Sequence, residues 1–168
     1  SRTSMLSGKD VNYTQVIDNT DYEINFRNNF SEAQGNEFVV TLPELLKDNG
    51  GYFTYGLNKV YHNPSSNDYN AGATDDCDRI YSWNRMINFA ETGAAQDALA
   101  NYNYLNLFSF GAIPDELETE LRDYKLADTV NVFLQEYANG TANTCSRPFF
   151  MAVGFKQPHM ERYVPRKY

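Results

Sequence analysis

Between Arg122 and Tyr137 the apolar residues Leu126, Val130, Phe133, Leu134 and Tyr137 recur at helical spacing, which predicts an amphipathic helix. Asn139-Gly140 is expected to end it. Thr41-Leu42-Pro43-Glu44 has the pattern of a capping box with proline in the first turn. It predicts a short helix whose buried stripe is Leu42, Leu45 and Leu46 and which stops at Asn49-Gly50. Ser1 to Leu6 is polar and able to open a helix, with Gly8 placed to close it, and a further short helix is expected from Ala94 to Ala100.

Two stretches carry the other period. Tyr52-Phe53-Thr54-Tyr55-Gly56-Leu57 is aromatic and β-branched, and it predicts a strand. Phe149-Phe150-Met151-Ala152-Val153-Gly154-Phe155 is an uninterrupted apolar run of strand length, the pattern of a strand buried on both faces. A third strand is expected near Tyr22–Phe26, inside an Asn-, Asp- and Glu-rich stretch from 10 to 37 that otherwise reads as loops. From Asn63 to Thr92 the chain is polar and turn-rich, and no element is expected there. Ile113-Pro114-Asp115 marks a new start. Helix followed by strand occurs twice, which favours an α/β fold with a mainly parallel sheet.

The chain has 168 residues, 42% hydrophobic and 21% charged, enough for a packed core and too apolar for a disordered segment. The net charge of −8 argues against nucleic acid as a partner, because a polyanion binder presents a basic face. No apolar run reaches the roughly 20 residues that span a bilayer. The opening at Ser1-Arg2 without an initiator Met reads as an excerpt of a longer chain.

Cys77 and Cys145 lie in unlike contexts and outside any C-x-x-C pair, so a structural zinc site is not expected. Pairing with each other, pairing elsewhere and free thiols all stay open. Sequons at Asn12, Asn29 and Asn139 are glycosylation candidates and favour a secreted, periplasmic or lysosomal-type compartment. The acidic run Asp75-Asp76-Cys77-Asp78 reads as a solvated loop rather than a metal site.

Both histidines fall just beyond an expected strand. Strand 52–57 is followed by Asn58-Lys59-Val60-Tyr61-His62, and strand 149–155 by Lys156-Gln157-Pro158-His159. In open α/β sheets ligands bind outside the carboxyl ends of strands, so two Lys/His loops there can converge on one anionic site. The amino end of a helix near Arg2 would be a third anion-binding element. Taken singly, a loop Lys is by default a solvated charge and a loop His a surface residue. The paired placement is what lifts the functional reading.

These residues resemble a known family. Ser1-Arg2-Thr3-Ser4-Met5-Leu6-Ser7-Gly8 is similar to the end of the sulfatase signature C-x-P-S-R-x-x-x-x-T-G, with Ser7 at the usual Thr. The segment from Thr41 to Tyr52 resembles the T-[IL]-P-x-x-x-x-x-x-G-Y block that follows it. Gly56-Leu57-Asn58-Lys59-Val60-Tyr61-His62 resembles G-x-x-K-[VI]-F-H of the iduronate-2-sulfatase-like branch, and Pro148 to His159 that branch's P-F-F-L-A-V-G-x-x-x-P-H block. The blocks are in order and reach from end to end, with residues 63 to 120 unmatched.

The resemblance implies an alkaline-phosphatase-like α/β fold, with residues 1–168 an incomplete part of one sulfatase catalytic domain, inactive in isolation. It implies hydrolysis of a sulfate monoester by a formylglycine hydrate, made from a Cys or Ser three positions before Ser1. By position, Arg2 steadies the hydrate and the sulfate charge. Lys59 contacts the hydrate and a sulfate oxygen, His62 acts on the second hydroxyl, and His159 protonates the leaving alcohol. The family's divalent cation, commonly calcium, is implied to bind through residues outside these 168. The acidic balance favours a small or terminal sulfated sugar over a long sulfated polymer. Two other readings stand beside this one: a catalytically inactive sulfatase-like secreted glycoprotein with a binding role, and a phosphatase or phosphodiesterase of the same superfamily.

Overall fold

The structure, a computed structural model, describes residues 2–14, 39–60, 78–89, 110–159 and 162–168. The strand expected at 22–26, the helix expected at 94–100, His62, Cys77 and the sequon at Asn29 lie outside the described residues. In chain order the helices are α1 (Arg2–Ser7), α2 (Val11–Thr14), α3 (Leu42–Asp48), α4 (Arg79–Ser82) and α5 (Arg122–Ala138). The strands are β1 (Phe53–Asn58), β2 (Arg85–Ile87), β3 (Phe110–Ile113), β4 (Phe149–Gly154) and β5 (Arg162–Pro165), and Asp115–Glu120 forms a 3₁₀ helix. The described residues thus mix helices with parallel strand pairs, the α/β class expected from the sequence. They divide into two compact units.

The first unit takes Ser1–Asn88 and Asn143–Val153. Its sheet has the order β2-β1-β4, with β1 and β2 parallel and Tyr55, Gly56 and Leu57 opposite Arg85, Met86 and Ile87. As the middle strand, β1 is buried along its whole length. Leu6, Val39, Val60 and Trp83 form a buried cluster, with Tyr13, Met86, Phe150 and Ala152 packed against it. The Trp83 ring stacks on Phe150 at 6.2 Å. Helix α1 ends as expected at Gly8, whose φ of +67° is open to glycine and strained for other residues, and the Gly8 N–H donates to the Ser4 carbonyl at 2.9 Å.

Helix α3 carries the expected capping box. Thr41 Oγ1 accepts from the Glu44 N–H and Glu44 Oε2 accepts from the Thr41 N–H, both at 3.3 Å. Its buried face is not the expected one. Leu42 and Leu45 are 43% and 47% exposed, and Pro43 is the buried residue of the helix. The helix packs on α1, α4 and β1 through the side bearing Pro43. Strand β4 also departs from expectation. Its residues are half-buried, and Val153 is exposed, because among the described residues β4 lies at the sheet's outer side while β1 holds the centre.

The stretch from 63 to 92, where no element was expected, contains α4 and β2. Asp78 is what holds this corner, so it is not part of a solvated loop. It is buried, accepts from Ser82 Oγ at 2.7 Å and from Trp83 Nε1 at 3.2 Å, and Ser82 Oγ is in turn bonded to Thr41 Oγ1. A buried carboxylate is tolerated when such donors satisfy it.

The second unit takes Phe89–Ala142 and Gly154–Tyr168. Strands β3 and β5 pair in parallel from Phe110 opposite Arg162 to Ile113 opposite Pro165. Ile113 is fully buried against Leu117 of the 3₁₀ helix and Leu121 just after it. Helix α5 matches the span read from its periodicity, buries Leu126 and Phe133, and ends at Asn139-Gly140. Arg122 at its start donates from Nε and Nη2 to the Phe89 carbonyl at 2.9 and 2.6 Å.

Candidate functional site

Strand β1 ends where the motif residues begin. Asn58 has a φ of 55°, a left-handed conformation that Asn tolerates better than most residues, and the Val60 N–H closes a tight turn on the Asn58 carbonyl at 2.7 Å. Lys59 is the centre of that turn and is half-buried. Its position is fixed from both sides, by the wholly buried strand before it and by buried Val60 after it. The turn therefore sets Lys59 at the carboxyl end of the central strand, the placement expected from the sequence.

Arg2 meets the same turn. It is the first residue of α1, whose Thr3 and Leu6 are buried, and Leu6 shares a cluster with Val60. The helix is thereby anchored beside the turn, and Arg2 Nη1 donates to the Lys59 carbonyl at 2.8 Å. A guanidinium has five N–H donors, and this bond uses one. The Arg2 guanidinium is thus held against the backbone of a residue 57 positions away in sequence, at one strand end.

His159 belongs to the second unit, and the loop before it is strongly shaped. The His159 N–H donates to the Lys156 carbonyl at 2.9 Å, and the Gln157–Pro158 peptide is cis. The backbone N–H groups of Lys156 and Gln157 both donate to the carboxylate of Asp123. His159 itself is exposed. The structure brings Arg2 and Lys59 together and describes His159 within its own unit. Asp123 was missed by the sequence reading, since an acidic residue in a first helical turn is common there for its favourable interaction with the helix dipole. Its distinguishing signal is the tertiary bond.

Among the described residues no three His, Cys, Asp or Glu side chains are grouped to hold a metal ion. Asn12 on α2 and Asn139 at the end of α5 are exposed, and Cys145 is an exposed free thiol. Among the described residues no helix is long and apolar enough to cross a membrane.

Comparison with known proteins puts a name to the motif blocks. The family model described as Sulfatase matches residues 1–168. A protein of Formosa agariphila described as a sulfatase is 26% identical over 175 residues, covering all of this chain and 31% of the relative. Iduronate 2-sulfatase of Mus musculus is 26% identical over 176 residues, and that of Homo sapiens 27% over 181, each covering all of this chain and 28% of the relative. The chain thus spans less than a third of the length of these curated relatives. No solved structure matches it.

Proposed function

The chain belongs to the sulfatase family, and from that premise we propose that the whole protein hydrolyses a sulfate monoester, with Arg2, Lys59, His62 and His159 lining the sulfate site. The observation that supports this reading is the bond from Arg2 Nη1 to the Lys59 carbonyl, which joins residues of two separate motif blocks at one strand end. A sulfate ester is an anion whose cleavage places negative charge on sulfate and on the leaving oxygen. Arg2 and Lys59 offset that charge, and His159 supplies the proton that lets the alcohol depart. His62 acts on the second hydroxyl of the aldehyde hydrate, the one that does not attack sulfur.

In the same reading the nucleophile is a formylglycine made from a Cys or Ser three positions before Ser1. The divalent cation, calcium, is held by other parts of the protein. Among the described residues no three His, Cys, Asp or Glu side chains are grouped to hold it. Both units belong to one catalytic domain, and the whole protein acts in a secreted or lumenal compartment with glycans at Asn12, Asn29 and Asn139. The net charge of −8 opposes a long sulfated polyanion, so the substrate is a small or terminal sulfate ester.

The test is inorganic sulfate release from 4-nitrophenyl sulfate by the whole protein, with 4-nitrophenyl phosphate as the competing probe. The sulfate ester is expected to be the better substrate, and Lys59→Ala is expected to lower kcat/KM by about 100-fold or more, the scale of losing one oxyanion contact. A preference for phosphate would move the protein to the phosphatase side of the superfamily. No turnover of either ester would leave a binding protein.

A further inference from the structure

We propose that Asp123 is a positioning residue for His159, acting through the backbone of the loop between them; the functional part of this inference rests on the role given to His159 above. The Lys156 N–H lies 2.9 Å from Asp123 Oδ1 and 3.1 Å from Oδ2, and the Gln157 N–H lies 2.9 Å from Oδ2. Strand β4 ends at Gly154, so these two N–H groups lie past the strand and take a side-chain acceptor instead. A carboxylate accepting from two consecutive N–H groups makes charge-assisted bonds, stronger than ordinary amide pairs. The next link is the 2.9 Å bond from the His159 N–H to the Lys156 carbonyl. The peptide held by Asp123 is therefore the base of the turn that ends in His159.

The anchor is rigid where it needs to be. Asp123 sits in the first turn of a 17-residue helix, α5, which is fixed by fully buried Leu126, by buried Phe133 and by Arg122 on the Phe89 carbonyl. Asp123 does not cap its own helix: the N-cap is Leu121, which makes no side-chain cap bond. A first-turn acid serving only the helix dipole would be satisfied by Glu as well as by Asp, and would have no reason to reach a loop 33 residues on. The two-N–H bite depends instead on carboxylate position and charge. Without it, an exposed histidine on a loop past a strand end would sample many positions, and a displacement of about 1 Å in a proton donor can cost on the order of 100-fold in rate.

The test uses the whole protein with Asp123→Asn, Asp123→Glu and His159→Ala, alone and combined. Hydrogen exchange at Lys156 and Gln157 is expected to speed up about tenfold or more in Asp123→Asn, the range for losing bonds to a charged acceptor. For 4-nitrophenyl sulfate, kcat is expected to fall about 10- to 100-fold with little change in KM, and Asp123→Glu is not expected to restore it. In the His159→Ala background Asp123→Asn is expected to add no further loss. Unchanged exchange at the two amides would overturn the proposal, as would equal losses with and without His159, which would mark general damage. Faster exchange with unchanged kcat would overturn it too. In that case a His159→Ala variant that is itself inactive leaves the sulfatase reading intact. A His159→Ala variant that stays fully active removes the role of His159, and the inference with it.

Discussion

Gly56 lies in the middle of β1, where the chain has no room for a side chain. A Cβ there would stand 3.0 Å from Trp83 Cδ2 and 3.3 Å from Met86 Sδ. The motif glycine three positions before Lys59 is thus a packing requirement of the strand that carries Lys59, and Gly56→Ala is expected to destabilise the protein by about 1–3 kcal/mol, measured by urea unfolding. At the far end of the chain, hydrogen bonds from Lys167 Nζ and then from the Tyr168 hydroxyl hold the Glu118 carboxyl below its ordinary range, while the bond to Glu118 lifts Lys167 above its own. A depressed carboxylate contributes stability above its unfolded pKa, about 4.3, and loses it as pH falls through the folded value. A raised lysine contributes below its unfolded pKa, about 10.4, and loses it as pH rises through the folded value. The tie between the chain end and the 3₁₀ segment is therefore expected to hold across the neutral range and to loosen at both extremes. An NMR titration of Glu118 and Lys167 checks this, with Glu118→Gln returning Lys167 towards its ordinary range and high salt shrinking both shifts. Arg2 and Lys59 were legible in the sequence because their motif blocks are local. The burial of Asp78 was not, since its charge run looks solvated and its fate is decided by Ser82 and Trp83 one turn on.

Elements follow the same division between local and tertiary causes. The spans of α3 and α5 and the starts of β1 and β4 are written in capping residues, periodicity and turn signals, and all were legible in the sequence. Which face each element buries was not. The leucines of α3 have the spacing of a core stripe, yet Pro43 takes the inside position because the helix rests on α1, α4 and β1. The apolar run of β4 suggested the middle of a sheet, and strand order gave that place to β1. The three-residue β2 was invisible because its pairing with β1, and not its own pattern, makes it a strand. For α5, fully buried Leu126 is the residue on which the helix and its Asp123 depend. Leu126→Ala is expected to cost about 2–5 kcal/mol in chemical denaturation, whereas the same change at exposed Leu134 is expected to be nearly neutral.

At the scale of the whole molecule, a family model covering residues 1–168 agrees with the α/β architecture of the described residues: the chain belongs to the sulfatase family, with an alkaline-phosphatase-like α/β fold. The Arg2 guanidinium is bonded to the backbone of the β1 turn at Lys59, and His159 is held on a loop tied to α5. The most direct measurement is peptide mass spectrometry of the natural protein across the residues just before Ser1. The account predicts a Cys or Ser three positions ahead of Ser1, recovered as the aldehyde of formylglycine. A residue there that cannot be converted, or one recovered wholly unmodified from protein made in its own cells, would contradict it.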